Sequence, residues 1–412
     1  MHGMPALWTG VVLPARNLVR RPKRTGTALL AIVSGIVALL LAGGYIQWVY
    51  FAMREGTILA HLGHLQIVRP GFFESGKSDP FRYLLPKDER VLNDFAKESG
   101  VVTVAPRISL SGLVSHGDST LAFIGEAIDP SREKELSESL VIVDGASLRE
   151  GDPDAVMFGE GLARNLGVGV GDRVVLLVTQ ASGGINAVEL SVRGTFSTVT
   201  KAYDDAALRL PIETARRLLR IEGAHTWVIL LDDTDRTTNL ATSLRGRLSP
   251  SDFQVVPWYD LADFYNKTVA LFSKQVDIVK IIISAIIVLG ITNSMMMSVM
   301  ERTGEIGTAM ALGAERRRVL GSFITEGALL GIFGGLIGLA IAFPLGILIS
   351  RIGIPMPAPP GMAHGFVGQI LITPRLAAEG LALAIVTAVL ASIYPAWRAS
   401  RLSIVDALRY NR

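Results

Sequence analysis

Four long runs almost free of charge constrain this chain more than any other feature. They are Thr25 to Tyr50, Ile281 to Val299, a stretch within Ile324–Ile349, and roughly Leu376–Ile393. About 20 apolar residues suffice to cross a bilayer, and hydrocarbon forces a spanning segment to satisfy its own backbone, so each run predicts a helix. Between the first two runs, residues 51–270 are polar enough, and numerous enough, to build a core of their own. Composition agrees with this division. Mean hydropathy is +0.41, half of the residues are hydrophobic and only 19% are charged. That balance predicts membrane spans plus a folded soluble body. A net charge of +3 is too small to argue for nucleic acid. The chain has no cysteine, which excludes disulfides, thiolate metal sites, iron–sulfur clusters and cysteine nucleophiles.

Orientation follows from where the basic residues gather. Arg16, Arg20, Arg21, Lys23 and Arg24 precede the first run. Arg302, Arg316, Arg317 and Arg318 lie between the second and third, and Arg398, Arg401, Arg409 and Arg412 follow the fourth. The loop after the third run has only Arg351 and Arg375 at its edges. The positive-inside rule therefore predicts both termini and residues 300–318 in the cytoplasm, with 51–270 and the Pro-rich stretch Pro355–Gly361 outside.

Residues 1–24 read as an interfacial amphipathic lead-in, kinked at Pro14 and ending in the basic cluster. A signal peptide is the competing reading, but the run from Thr25 to Tyr50 is long for one and lacks a clean small-x-small cleavage site. In the soluble body, strands are predicted at His64–Arg69, Val101–Ala105, Thr120–Glu126, Ala155–Phe158, Arg173–Thr179, Ala187–Thr195, Ala206–Leu210 and Thr226–Leu231. Helices are predicted at Asp88–Ser99, Glu160–Leu166, Ile212–Arg220 and Asp235–Leu248, giving a mixed α+β domain. Residues 258–280 repeat apolar positions at helical spacing and predict an amphipathic stalk running unbroken into the second span. In the third span Gly327, Gly331 and Gly335 lie four apart, a spacing that permits close helix contact, either within the chain or in a dimer. Glu326 and Glu379 fall near span ends, where an interfacial or protein-facing position is expected.

The segment 300–318 carries both charge signs, so it must face water. Ile306, Met310 and Gly313 recur at i, i+4, i+7 and give a narrow apolar face. Gly313 suits the position just past a helix end, with a second helix starting near Ala314. Here the run from Glu301 to Ala314 resembles the coupling segment of the FtsX-like ABC transporter permeases, a family that includes macrolide-exporter and lipoprotein-releasing permeases. Glu301, Arg302, Glu305, Ile306, Gly307, Leu312, Gly313 and Ala314 match its pattern, while Gly304 stands where a basic residue is common and Ala309–Met310 replaces a Leu-Arg pair. The stretches Ala15–Thr25, Gly63–Ile67 with Pro70–Gly71, Gly159–Ala163 with Leu166–Val168 and Gly171–Asp172, and Tyr394–Arg409 resemble the same family.

The resemblance implies four transmembrane helices and a large extracytoplasmic α+β domain inserted between helices 1 and 2, with a stalk extending helix 2. The expected division is 1–24 lead-in, 25–50 first span, 51–257 outer domain, 258–280 stalk, 281–299 second span, 300–318 coupling segment, 319–350 third span, 351–375 outer loop, 376–395 fourth span and 396–412 tail. It implies a multi-pass protein of the bacterial inner membrane that is not itself an enzyme. Two copies of a cytoplasmic ATPase subunit would bind ATP and magnesium and dock on Glu301, Arg302, Glu305, Ile306, Met310, Leu312, Gly313 and Ala314. A second permease chain, the same or a paralogue, would complete the dimer. A periplasmic adaptor or lipoprotein carrier would take the substrate, with lipoprotein release or efflux as the work done. The alternative within the family is a scaffold or sensor that regulates a cell-wall hydrolase or signalling partner.

Two patterns invite other chemistry. Gly71-Phe72-Phe73-Glu74-Ser75-Gly76-Lys77-Ser78 fits the phosphate-binding loop pattern, and Leu140–Asp144 resembles the second nucleotide motif. Such a loop must open a helix, whereas Asp79-Pro80 follows at once, so a surface loop is expected. His61 and His64 are three apart, but no further ligands stand nearby in sequence, so ordinary packed or solvated histidines are expected.

Overall fold

The computed structural model describes residues 20, 22–76, 79–137, 140–198, 200–357 and 365–403. Most of the lead-in, Lys77 and Ser78 of the phosphate-loop pattern, most of the Pro-rich stretch and the end of the tail lie outside the described residues. The chain divides into two compact units. One is Phe51–Thr268 with Met356–Phe366; the other takes in the residues up to Tyr50, Val269–Pro355 and those from Val367.

The first unit is built on one ten-stranded sheet. Helix α1 (Pro22–Thr57) passes into a π turn, Ile58–Leu62, and then Gly63 at φ +62 turns the chain into β1 (Leu65–Val68). The remaining strands are β2 (Val101–His116), β3 (Ser119–Ile128), β4 (Val141–Gly145), β5 (Ala155–Gly159), β6 (Arg173–Thr179), β7 (Ile185–Ser197), β8 (Ala207–Pro211), β9 (Thr226–Leu231) and β10 (Gln254–Pro257). The path across the sheet is β10-β1-β9-β2-β3-β8-β5-β7-β4, with β6 bridging β2 and β7. Short helices cover it: α2 (Phe72–Ser75), α3 (Glu89–Ala96), α4 (Glu160–Leu166), α5 (Lys201–Asp204), α6 (Ile212–Leu219), α7 (Thr237–Arg247) and α8 (Trp258–Leu261). Leu92 and Phe95 of α3 and Leu218 and Leu219 of α6 join Ile67, Val104, Ile108, Leu208 and Trp227 in the main core. Asp88 caps α3 by accepting from the amides of Arg90 and Val91.

Several expectations are corrected. Strand β2 continues past Ala105 to His116, because Pro106 falls where pairing with β3 has not yet begun and its missing N–H removes little from the ladder. The run Leu140–Asp144 is largely the edge strand β4, paired with β7, and β10 was not expected at all. The helix expected over Asp235–Leu248 is a 3₁₀ turn, Thr234–Arg236, followed by α7. The stalk is not continuous from 258. Helix α8 stops at Ala262 (φ −86, ψ 57), and α9 starts afresh at Asp263 and runs to Glu301. Buried Trp258 packs its ring against Tyr259 and Tyr265, and Asn266 donates to the Tyr259 carbonyl that the break exposes.

The second unit holds helices α1, α9, α10 (Thr303–Ala311), α11 (Arg316–Ile352) and α12 (Pro374–Ser400). Among the described residues, four stretches, Thr25–Thr57, Asp263–Glu301, Arg316–Ile352 and Pro374–Ser400, are long and apolar enough to cross a membrane. Each outruns the apolar run that announced it. Gly327, Gly331 and Gly335 of α11 face Ser392, Ala388, Ala384 and Leu381 of α12, whereas Gly334 and Gly338 face Ile32 and Ile36 of α1. Both glycine rows are therefore occupied by contacts inside the chain. Thr373 caps α12 through the Leu376 amide, and Pro374 takes the first helical position.

Candidate functional site

The turn between α9 and α11 is built by local rules. Arg302 is the single residue between α9 and α10, at φ −100 and ψ 10. At the far end the Gly313 amide donates to the Met310 carbonyl and the Ala314 amide to that of Ala309, a Schellman motif. Gly313 sits at φ +95, where a side chain would be strained. The structure thus places the helix end where the sequence predicted it. The next helix starts two residues later than expected, with Glu315 at its N-cap.

The apolar face of α10 does not look outward. Ile306, Gly307 and Met310 are buried. Ile306 and Met310 belong to the same core as Met295, Val299 and Phe323. Arg302 also turns inward. Its guanidinium stands 5.5 Å from the centre of the Phe323 ring, with Nη1 3.4 Å from Glu326 Oε2 and Nε 3.5 Å from Glu305 Oε2. Of the eight residues selected from sequence, Glu301, Glu305, Leu312 and Gly313 are exposed and Ala314 is half-buried. Leu312 is 84% exposed, a cost that no contact within the described chain offsets. Sequence reasoning missed Thr308, Ala309 and Arg316–Arg318, which extend the exposed strip. The signal was present: Glu301, Glu305, Thr308 and Leu312 recur at i, i+4, i+7 and i+11, a second helical face opposite the apolar one. The strip is an exposed surface, acidic around α10 and basic where α11 begins, lying between two helices able to span a membrane.

The sheet unit contains a second concentration of charge. Arg107, Glu126, Glu133 and Arg209 are all buried. Arg107 forks onto Glu133 (Nη2–Oε2 3.1 Å) and also donates to the His61 carbonyl of the π turn. Glu126 Oε1 lies 3.0 Å from His61 Nδ1, and its Oε2 accepts from Arg209 Nη2 at 3.2 Å. Burial alone would raise the Glu126 carboxyl, but His61, Arg107 and Arg209 together hold it well below the usual carboxylate range. Burial, reinforced by Glu126, pushes the Tyr203 hydroxyl above its ordinary value. Arg107, through the His61 carbonyl, and Glu126, beside the His61 ring, brace the turn that joins α1 to the sheet.

The described residues of the two other sequence patterns make contacts within the protein. Helix α2 is four residues long, and its Phe72 ring stacks on His225 at 5.5 Å. His64 uses both nitrogens within the protein. The Leu231 amide donates to Nδ1 at 3.0 Å, so Nε2 carries the proton and donates to Thr234 Oγ1 at 3.0 Å.

His64 and His225 give a pH prediction. Burial pushes His64 down to about 4, with Arg54 adding to the effect, and burial does the same to His225. Both folded values lie below the ordinary 6.5, so the unfolded chain takes up protons first. Stability is complete above pH 6.5 and is lost as pH falls towards 4, on the order of 2 kcal/mol for each histidine. Glu126 acts in the same direction only below its ordinary 4.5. Chemical unfolding of the sheet unit in the full chain should therefore be easier at pH 5 than at pH 7; equal midpoints would contradict the assignment.

Comparison with known proteins agrees with this architecture. The family model for the MacB-like periplasmic core domain matches residues 25–247, more than half of the chain, and that for the FtsX-like permease C-terminal matches residues 278–404. The chain is 27% identical over 297 residues to an uncharacterized ABC transporter permease of Methanocaldococcus jannaschii, covering 68% of this chain and 69% of that one. It is 26% identical to the macrolide export ATP-binding/permease protein MacB of Hyphomonas neptunium, covering 97% of this chain but only 60% of the longer relative. It is also 26% identical to the lipoprotein-releasing system transmembrane protein LolC of Xylella fastidiosa, covering 75% of this chain and 78% of that one. With four helices able to span a membrane and a β-rich domain between the first and the others, the chain belongs to the ABC transporter permease family whose members join a MacB-like periplasmic core domain to an FtsX-like permease region.

Proposed function

We propose that this chain is the membrane subunit of an ABC transporter and that separate cytoplasmic ATPase subunits, one per permease chain in a dimer, seat on the exposed strip of α10. The observation that carries this reading is the strip itself: Glu305 and Thr308 on α10 and Leu312 at its end are exposed, with exposed Glu301 at the end of α9 before them, while the other face of α10 packs into the core of the helical unit. Glu305 and Glu301 would meet basic groups of the ATPase, and Leu312 would fill an apolar recess in it. ATP and Mg²⁺ belong to that partner. Closure of two ATPases around ATP would displace the two α10 helices, and the outer domains would move in response. The basic clusters support an inner-membrane orientation with both termini and α10 in the cytoplasm and the sheet domain in the periplasm. The work done is release of a lipoprotein, or efflux of a molecule already in the periplasm or the outer leaflet through an adaptor. The central stretches of the four spans carry no charged side chain that would mark an ion path, which favours mechanical work on such a substrate.

Co-purification in nanodiscs with an ABC ATPase subunit from the same organism tests the reading. The wild-type chain should hold the ATPase and hydrolyse ATP. Glu305→Lys reverses a charge on the strip, and Gly313→Trp places a bulky side chain at φ +95. Each should weaken the complex by tenfold or more, about 1.4 kcal/mol or above. A chain that purifies alone, with variants indistinguishable from wild type, would remove the proposal.

A further inference from the structure

We propose that Arg302 and Glu326 are the joint through which displacement of α10 reaches the membrane helices, and that Arg302 is a positioning residue rather than part of the surface shown to a partner. The inference rests on the reading of α10 as the ATPase-facing helix. It goes further by naming the element that passes the movement on.

The geometry is specific. Arg302 is the one residue at which the chain leaves helical geometry between α9 and α10, so any tilt of α10 relative to α9 must turn about it. Its side chain is only 17% exposed and reaches across to α11. There it lies over the Phe323 ring and against the Glu326 carboxylate, at 5.5 Å and 3.4 Å. Phe323 and Glu326 are three residues apart, hence on one face of α11, and they are 3% and 7% exposed. A guanidinium enclosed by a ring and a carboxylate has little left to offer a soluble partner. Its third contact, Glu305 of α10, ties the helix that would move to the same charge. Directly after Glu326, Gly327 and then Gly331 of α11 lie against Ser392 and Ala388 of α12. A push on α10 thus has a continuous packed route through Arg302 and Glu326 to α11, and from α11 to α12. The charge pair matters because it is directional: removing either member leaves the other largely desolvated and frees α10 to rock without dragging α11.

Hydrogen exchange on the permease–ATPase complex in nanodiscs separates the two claims. Seating of the ATPase should protect residues 303–311 in the wild-type chain, and addition of ATP with vanadate should alter exchange across residues 316–330. In Arg302→Ala and in the isosteric Glu326→Gln, protection at 303–311 should persist. The ATP-dependent change at 316–330 should shrink at least about fivefold, the lower end of ordinary coupling factors. The exchanged pair, Arg302→Glu with Glu326→Arg, should recover it. Loss of protection at 303–311 in the single variants would make Arg302 a partner contact and overturn the inference. So would an undiminished response at 316–330. Absence of protection at 303–311 in the wild-type complex would instead overturn the reading of α10 on which the inference rests.

Discussion

Glu133→Ala should destabilise the sheet domain by about 3–5 kcal/mol, the largest single-residue effect expected outside the membrane helices. The Glu133 side chain is 1% exposed and receives both ends of the Arg107 fork, whose own side chain is 4% exposed. Alanine would leave that arginine buried, with Glu126 3.9 Å away as its nearest remaining carboxylate. The proper comparison is Arg107→Met with Glu133→Leu. Removing both charges also removes the desolvation problem, so the double variant should lose less than the single one. It should not return fully to wild type, because Arg107 also caps the His61 carbonyl. An orphaned carbonyl costs about 1–3 kcal/mol. Denaturant unfolding of the full chain in nanodiscs, followed by exchange of the β2 and β9 amides, measures all three. A single variant as stable as wild type would mean that water or a rearranged Glu126 replaces the pair.

Gly331→Leu should prevent α11 and α12 from packing. A Cβ at this position would lie 2.8 Å from the Ala384 carbonyl oxygen and 2.9 Å from the Ile385 Cα, both main-chain atoms that cannot swing aside. Overpacking of this kind costs about 1–3 kcal/mol when side chains can yield, and more when they cannot. Gly321→Leu is the control, since a Cβ there meets nothing within 4 Å. The control should purify as a single species in nanodiscs, whereas Gly331→Leu should aggregate or be degraded. Equal behaviour of the two would show that the glycine spacing is incidental.

What could be read from sequence follows from the range of the forces involved. The four spans and the helix end at Gly313 depend on local composition and backbone sterics, and both were legible. The periodicity of Ile306 and Met310 was legible too, but not what that face covers, because the membrane helices of the same chain and the groove of a partner are both apolar receptors. The contact between Arg302 and Glu326 joins residues on different helices. Only the crossing of those helices brings them together, so Glu326 could be placed near a span end and no nearer to its partner. In the sheet domain, Pro106 masked a strand that the tertiary ladder tolerates. The break at Ala262 was invisible because the apolar spacing of Leu261, Phe264 and Tyr265 reads the same with or without one non-helical residue. Strands β4 and β10 are five and four residues long, and their existence depends on the neighbours they pair with rather than on their own propensity.

The two glycine rows of α11 also limit how this bundle can work. Gly327, Gly331 and Gly335 mesh with one neighbour, while Gly334 and Gly338 mesh with another at a different azimuth. A helix keyed on two sides behaves like a spline in a slot: spinning it about its long axis would drive main chain into main chain on at least one side. Of the six rigid-body freedoms, the cheap ones left are a slide along the axis and a tilt in which α1, α11 and α12 travel as one plank. Movement of α11 would then appear as tilting of that plank, not as unscrewing of a single helix.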